Sequence, residues 1–130
     1  MTMFVTRFIA DKPDATAPDG SEVRLLAATA RGSMAHFRLP AGAVSKAVAH
    51  RTVEEVWFFT GGRGEMWRKN GEGEETVAVR GGVSIAIPAG TAFQFRATGD
   101  SPLDAVGVTM PPWPEMDEAY AVEGAWESTA

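Results

Sequence analysis

The stretch that decides the fold is GAVSKAVAHRTVEEVWFFTGG, residues 42–62. Its second half contains VEEVWFFT at residues 53–60, which is rich in β-branched and aromatic residues and is typical of a β-strand. The glycine pair at residues 61–62 ends this strand, because glycine adopts the backbone conformations of a tight corner without steric cost. A second glycine pair interrupts the chain in the same way at residues 81–82. This part of the chain is therefore expected to form short strands separated by sharp turns.

Apolar residues and turn-forming residues alternate on both sides of this stretch. Asn70-Gly71 predicts a hairpin, and Pro88-Ala89-Gly90 predicts a turn between two strands. No segment of ten or more residues has a helical period with capping residues. We therefore predict an all-β sandwich or barrel with little helix. The expected strands are residues 4–9, 22–29, 34–39, 53–60, 64–68, 76–80, 83–87, 91–97 and 103–109.

Length, charge and composition exclude several classes of protein. The 130 residues suit one domain, with a barrel at about residues 20–110 and an extended tail at residues 111–130. The 12 Lys and Arg against 17 Asp and Glu give a net charge of −5, and without a basic run a nucleic-acid partner is not expected. The absence of cysteine excludes disulfides, iron–sulfur clusters and thiolate zinc sites.

Membrane insertion and secretion are not expected from this sequence. No apolar stretch is long enough to span a bilayer. Arg7 interrupts the apolar N-terminal run, which does not resemble a signal peptide. We therefore expect a cytoplasmic protein without a membrane partner.

The segment that begins at Gly42 resembles the first motif of the cupin superfamily, G-x-x-x-x-x-H-x-H-x-x-x-E-x-x-x-x-x-x-G. His50 stands at the second histidine, Glu54 at the glutamate and Gly61 at the closing glycine. Val48 occupies the position of the first histidine.

The segment that begins at Gly82 resembles the second cupin motif, G-x-x-x-x-x-P-x-G-x-x-H-x-x-x-N. Pro88 and Gly90 match this motif, whereas Phe93 and Ala97 stand at its histidine and asparagine. The two motifs occur in the right order and are separated by about 20 residues, which suits a small cupin. The resemblance implies an antiparallel jelly-roll β-barrel.

The resemblance also implies a metal site, and this chain has lost part of it. Cupins that bind a metal hold it with the two histidines and the glutamate of the first motif and the histidine of the second. Only His50 and Glu54 remain here, and two protein ligands make a weak site. His36 is the other histidine and would be a third ligand only if it faced the interior. We therefore expect no resident cofactor, while a divalent transition metal on His50, Glu54 and His36 stays an alternative.

The orientation of His36 follows from the alternation along its strand. Met34, His36 and Arg38 share one face, and Ala35, Phe37 and Leu39 share the other. The apolar set is expected to face the interior, which favours an outer or interface position for His36.

His50 and Glu54 also suggest a pocket with a polar pair able to act as acid and base. The structural alternative is that the two side chains are remnants hydrogen-bonded to each other. Arg68 is expected either to meet a carboxylate of the ligand or to lie at the rim. The expected ligand-binding residues are Val48, Phe58, Arg68, Phe93 and Phe95.

Both faces of the strand at residues 53–60 are largely apolar, so both faces need a cover. A second subunit or the terminal segments with Trp113 and Trp126 are the expected covers, and we predict a homodimer. The alternative is that the tail covers this face alone.

Three functions are compatible with these features. The first is a small-molecule binder or metal-independent isomerase, epimerase or cyclase that uses His50 and Glu54. The second is a metal-dependent oxygenase or isomerase with a reduced ligand set. The third is a non-catalytic dimeric binding or sensor protein.

Overall fold

The chain forms short β-strands, as its alternation of apolar and turn-forming residues predicts. The computed structural model describes residues 4–114 and 116–130. One 3-10 helix at Met116–Glu118 is the only helical element in these ranges, and no helix there is long and apolar enough to cross a membrane. The strands are β1 (Ala15–Thr16), β2 (Glu22–Ala28), β3 (Ser33–Leu39), β4 (Val48–His50), β5 (Glu54–Gly61), β6 (Arg63–Asn70), β7 (Gly73–Arg80), β8 (Ser84–Ile87), β9 (Ala92–Ala97), β10 (Leu103–Met110) and β11 (Ala119–Ala121).

The strands form two antiparallel sheets. The six-stranded sheet has the order β1-β2-β3-β10-β5-β8, and the five-stranded sheet has the order β11-β4-β9-β6-β7. From β3 onwards, most strands that follow one another along the chain, such as β4 and β5 or β5 and β6, lie in different sheets. The chain therefore crosses between the sheets repeatedly, as in a jelly roll. The predicted all-β jelly-roll barrel with little helix is confirmed.

The core between the two sheets is built around Trp57 of β5. Trp57 stacks on Phe37 of β3 with ring centroids 4.8 Å apart, and Phe95 of β9 meets it edge-on at 5.2 Å. Gly107 of β10 pairs with Trp57 across the ladder, and a Cβ atom at Gly107 would press against both stacked rings. The glycine thus leaves the space in which the aromatic rings pack.

The structure corrects the strand assignment at both ends of the chain. Residues 4–9, expected as the first strand, make no backbone–backbone hydrogen bond among the described residues and are not a strand. Their apolar pattern lacks a neighbouring strand to pair with, and a strand is stable only within a ladder. In the other direction, β1, β4 and β11 were not predicted, because two or three residues are too few to show a period.

The C-terminal tail covers the outer face of the five-stranded sheet. The backbone N–H of Trp126 donates to Gln94 Oε1 at 3.0 Å, and Gln94 Nε2 donates to the Trp126 carbonyl at 2.8 Å. The Arg96 guanidinium lies 4.2 Å from the centre of the Trp126 ring. Trp126 therefore covers β9 and not β5, whose outer face was expected to receive it.

A substitution at Gly64 of β6 tests how closely the strands pack. A Cβ atom at Gly64 would collide with the backbone carbonyl of Arg96, which cannot move without breaking the ladder to β9. We expect Gly64→Ala to lower the free energy of unfolding by roughly 2–3 kcal/mol, measured by urea denaturation. Gly73→Ala is the matched control, because a Cβ atom there meets nothing within 4 Å. The control should change stability by no more than about 1 kcal/mol, and equal losses in the two variants would contradict this reading of the packing.

Candidate functional site

A cavity of about 290 Å³ lies between the six-stranded sheet and strands β4 and β9 of the other sheet. His50 and Glu55 reach it from β4 and β5, and Asp19 reaches it from the loop before β2. A mainly apolar wall with a few converging polar groups is the usual form of a small-molecule site. The apolar wall includes Val23, Leu25, Phe37, Val48, Trp57 and Phe93.

His50 lies between two aromatic rings. Its imidazole meets Phe93 edge-on at 5.2 Å and Trp113 at 4.8 Å between ring centroids. Burial among these rings lowers the pKa of His50 to about 4, although the charge of Glu118 acts in the opposite direction. His50 is therefore neutral at pH 7 and has a free lone pair on one ring nitrogen.

Glu55 is the carboxyl group that faces His50. Its side chain is only 3% exposed. Burial raises the pKa of Glu55 to about 8, and the nearby carboxyl of Asp19 adds to the rise. The indole N–H of Trp57 acts in the opposite direction and lowers the pKa of Glu55, but less than burial raises it. This N–H has no hydrogen-bond partner of acceptable geometry among the described residues. Glu55 is therefore mainly protonated at pH 7 and is able to donate a hydrogen bond.

The two side chains form a pair whose facing atoms are free. His50 Nδ1 and Glu55 Oε2 lie 3.5 Å apart, and neither atom has a hydrogen-bond partner among the described residues. Buried polar atoms are almost always hydrogen-bonded, because an unpaired one costs about 1–3 kcal/mol. The cavity wall thus contains two buried polar atoms, His50 Nδ1 and Glu55 Oε2, that make no hydrogen bond to the described part of the chain.

The turn between β4 and β5 sets the positions of both members of the pair. The Glu118 carboxylate accepts hydrogen bonds from the backbone N–H groups of Thr52 and Val53 at 2.5 and 2.6 Å. Burial alone would raise the pKa of Glu118, but these hydrogen bonds outweigh it and hold the pKa below its usual value. Glu118 is thus a positioning residue that the sequence analysis missed, because its partners lie about 65 residues earlier in the chain.

Three other polar side chains of the cavity already have partners. Asp19 Oδ1 accepts hydrogen bonds from the backbone N–H and the hydroxyl of Ser21 at 2.9 and 2.6 Å. The hydroxyls of Ser33 and Thr109 bond to each other, and Ser33 Oγ also accepts the backbone N–H of Trp113. These groups were not predicted, since a loop residue such as Asp19 has no periodic pattern that would place it. His50 and Glu55 differ from them in having no partner.

The structure corrects the choice of Glu54 as the partner of His50. Glu54 is exposed on the outer face of β5, whereas Glu55 points inward with Trp57 and Phe59. Phe58 lies on the same outer face as Glu54 and is 50% exposed, so it does not line the cavity. The alternation along this strand was predicted correctly, but the set that faces the interior is the one containing Glu55.

The other predicted ligand-binding residues have different positions. Val48 and Phe93 line the cavity and pair with each other across the β4–β9 ladder. Phe95 is buried behind the cavity wall against Trp57. Arg68 lies away from the cavity and donates to the carbonyl of Ala86 at 2.8 Å, which links β6 to β8. Arg68 was expected either to meet a carboxylate of the ligand or to lie at the rim, and it is not among the residues that line the cavity.

His36 lies on the outer face of β3, the position that its strand pattern favours. Its Nε2 atom is 3.1 Å from Asp104 Oδ1, and Phe37, its neighbour, points into the core. Burial is the main cause of the lowered pKa of His36. The charge of Asp104 acts in the opposite direction, and the charges of Arg38 and Arg24 lower the pKa further. The sheet separates His36 from His50, so His36 cannot act as a third metal ligand in the cavity.

The donor set of the cavity does not fit a tightly held metal ion. Val48 and Phe93 present hydrocarbon side chains where a coordinating pair would stand. Within the described ranges, no group of three or more His, Cys, Asp or Glu side chains is close enough to hold an ion.

A family model for the cupin domain matches residues 35–109, from β3 to β10. The chain belongs to the cupin family. No protein of curated function matches its sequence significantly. The cupin resemblance of the two glycine-punctuated segments is thus confirmed.

Solved structures share this cupin fold at low sequence identity. A Bacillus halodurans protein is 22% identical with a TM-score of 0.65, and the match covers 72% of each chain. A Klebsiella pneumoniae protein with a double-stranded β-helix domain is 14% identical with a TM-score of 0.69, and the match covers 92% of this chain and all of that one. Bacillus subtilis oxalate decarboxylase, which has Mn(II) centres, is 14% identical with a TM-score of 0.71, but the match covers 86% of this chain and only 30% of the decarboxylase.

The stability of this cupin should depend on pH through the buried pair. Glu55 has a pKa of about 8 when folded against an ordinary 4.5, so between pH 6.5 and 8 the unfolded chain has lost a proton that the folded chain keeps. Raising the pH across this range therefore favours unfolding. His50 acts in the opposite direction only between pH 4 and 6.5, where the unfolded chain binds the extra proton.

We expect the free energy of unfolding to fall by about 1–2 kcal/mol as the pH rises from 6.5 to 8, because the folded chain keeps the Glu55 proton over this range. Urea denaturation at the two pH values should show this loss in the wild-type protein and in Glu54→Gln, but not in Glu55→Gln. Glu54→Gln is the control, because it removes the neighbouring carboxylate of Glu54 and leaves Glu55 in place. The same pH dependence in all three proteins would show that Glu55 keeps an ordinary pKa.

Proposed function

We propose that this cupin binds a small, uncharged and mainly apolar organic molecule in the cavity and that His50 and Glu55 exchange protons with it. The observation that carries the proposal is the buried pair itself. His50 Nδ1 and Glu55 Oε2 face each other at 3.5 Å without other partners, in the wall of an otherwise apolar cavity.

The charge state of the cavity favours a neutral ligand. His50 is neutral and Glu55 is protonated near pH 7, so the pair offers one acceptor and one donor without net charge. An anion would lie close to the carboxyl groups of Asp19 and Glu55, and the pair itself supplies no cation to compensate it. Among the described lining residues Arg7 is the one cationic side chain, and it is exposed to solvent. A hydroxyl, carbonyl or enol group would instead satisfy both atoms through hydrogen bonds.

The size of the cavity limits the ligand. A volume of about 290 Å³ is at the lower end of ligand pockets. If each non-hydrogen atom of the ligand takes about the volume of one water molecule, about 30 Å³, the cavity accommodates roughly ten such atoms. The Phe93 and Trp113 rings on either side of His50 favour a flat or ring-bearing molecule.

The pair is suited to isomerisation by proton transfer. The Glu55 carboxyl donates its proton to a carbonyl oxygen of the ligand while His50 accepts a proton from the adjacent carbon. This step forms a neutral enol and leaves a carboxylate beside an imidazolium, so the cavity as a whole gains no charge. Return of the protons to different atoms completes an isomerisation, and no external oxidant or reductant is needed.

A test starts with the molecule that the protein retains or selects. Native mass spectrometry of the purified protein and a thermal-shift screen of neutral hydroxy-carbonyl, enol and phenol compounds identify a ligand, with their carboxylate analogues as the matched anionic set. We expect a neutral compound to raise Tm. His50→Ala and Glu55→Gln should each weaken its binding at least about tenfold, while Glu54→Gln should leave binding unchanged.

Turnover separates an isomerase from a binding protein. Deuterium exchange from D2O into the bound compound, followed by NMR, should require both His50 and Glu55. Binding that depends on the pair without any exchange would identify a non-catalytic binding cupin. Binding or exchange that is lost on treatment with a chelator and restored by Mn²⁺, Fe²⁺ or Zn²⁺ would overturn the proposal in favour of the metal-dependent alternative.

A further inference from the structure

Asp19 is a buried carboxyl group of the cavity that the proposed proton exchange does not use. It lines the same cavity as His50 and Glu55 and is only 4% exposed. Burying a carboxyl group is costly unless hydrogen-bond donors reach its oxygens. The partners of the two oxygens of Asp19 therefore indicate whether a ligand has a place there.

Only one oxygen of Asp19 has partners among the described residues. Oδ1 accepts hydrogen bonds from the backbone N–H and the hydroxyl of Ser21 at 2.9 and 2.6 Å. Oδ2 accepts no hydrogen bond within the described ranges. Unlike Glu55 Oε2, it is also not completely enclosed by the protein. Oδ2 is therefore an open acceptor in the wall of the cavity.

The loop between β1 and β2 holds Asp19 in a fixed position. The Ala17 N–H donates to the Ser21 carbonyl at 2.9 Å, and the Gly20 N–H donates to the Ala17 carbonyl at 2.8 Å. Gly20 has a φ of 94°, which glycine adopts without steric cost. The Lys46 N–H donates to the Asp19 carbonyl at 2.7 Å and ties this loop to the segment before β4. A carboxyl group fixed before the ligand arrives suits selective binding.

Asp19 lies near the pair that the proposed function uses. The charge of Asp19 contributes to the raised pKa of Glu55, so the two carboxyl groups interact across the cavity. Burial raises the pKa of Asp19 itself, and the hydrogen bonds from Ser21 act in the opposite direction. A ligand that donates a hydrogen bond to Oδ2 would favour the carboxylate form of Asp19 further.

We infer that the ligand of the cavity is a hydroxy-carbonyl compound whose hydroxyl group donates a hydrogen bond to Asp19 Oδ2. The inference rests on the proposed function, in which His50 and Glu55 meet the carbonyl end of the ligand. A hydroxyl group suits Oδ2 because it brings a single donor. An ammonium group brings three donors and a charge, and the apolar wall would leave some of those donors unpaired.

Three phenyl ketones of matched shape test the inference. Hydroxymethyl phenyl ketone, methoxymethyl phenyl ketone and methyl phenyl ketone share the ring and the carbonyl group, but only the first has a hydroxyl donor. Isothermal titration calorimetry of the wild-type protein should show that the hydroxymethyl ketone binds at least about tenfold more tightly than the other two. The physical reason is that a hydrogen bond to a carboxylate is stronger than one between neutral groups.

Asp19→Asn removes the carboxylate and keeps an acceptor for the turn, because the amide oxygen can still accept both hydrogen bonds from Ser21. This variant should lose the preference, and the hydroxymethyl and methoxymethyl ketones should bind within about threefold of each other. Asp14→Asn is the matched control. Asp14 is exposed, accepts the Leu25 N–H at 2.8 Å and does not line the cavity, so this variant should keep the wild-type preference.

NMR of the wild-type protein tests the same contact without a variant. The carbon resonance of the Asp19 carboxyl group should shift when the hydroxymethyl ketone binds and should stay in place with the methyl ketone. A measurement of Tm checks that both Asn variants fold.

Four results would overturn the inference: no binding of the hydroxymethyl ketone, equal affinity for the three ketones, a preference that a folded Asp19→Asn variant retains, or tighter binding of the aminomethyl analogue. Ligand binding that still depends on His50 and Glu55 would leave the proposed function standing in each case. A hydroxyl preference that depends on Asp19 but not on His50 or Glu55 would support the role of Asp19 and contradict the proposed function.

Discussion

The alternation of side chains along β5 determines three parts of the molecule at once. Its inward set places Trp57 on Phe37 in the core and Glu55 opposite His50 in the cavity. Its outward set leaves Val56 and Phe58 exposed on the six-stranded sheet. A shift of one residue would exchange the two sets, putting Glu54 inside and Trp57 outside. The large aromatic core prevents that shift, so packing of the core also decides which glutamate belongs to the site.

Burial gives the His50–Glu55 pair its chemical character. In water a histidine and a glutamate this close would form an ion pair near neutral pH, whereas the apolar wall favours the neutral forms of both. A neutral donor and acceptor select different ligands from those that an ion pair or a metal would select. The pair is held by groups far apart in the chain, because Glu118 fixes the turn before Glu55 and Trp113 packs on His50.

Much of the fold was predictable, while the site was predictable only in part. The glycine pairs, the hairpin signal and the apolar alternation were sufficient for an all-β barrel, and the cupin motifs indicated His50. The strand pattern could not distinguish Glu54 from Glu55, because the two glutamates are adjacent and both faces of β5 are apolar. The closing glycine of the motif is equally ambiguous, since Gly61 and Gly62 are also adjacent. Asp19 and Glu118 were missed because they lie in a loop and a tail that have no period, and Glu118 acts on the turn before β5. Trp113 was expected to cover the outer face of β5, but it lines the cavity and packs on His50.

The sequence by itself determined the longer strands between residues 22 and 110, the turns between them, the outer position of His36 and the loss of two family metal positions to Val48 and Phe93. These are local properties, set by side-chain shape, backbone freedom and the chemistry of single residues. Only the tertiary structure decided which face of β5 turns inward, that Glu118 holds the turn before β5 and that the tail covers the five-stranded sheet. Those outcomes depend on contacts between residues distant in the chain, where the burial of aromatic side chains outweighs any local preference.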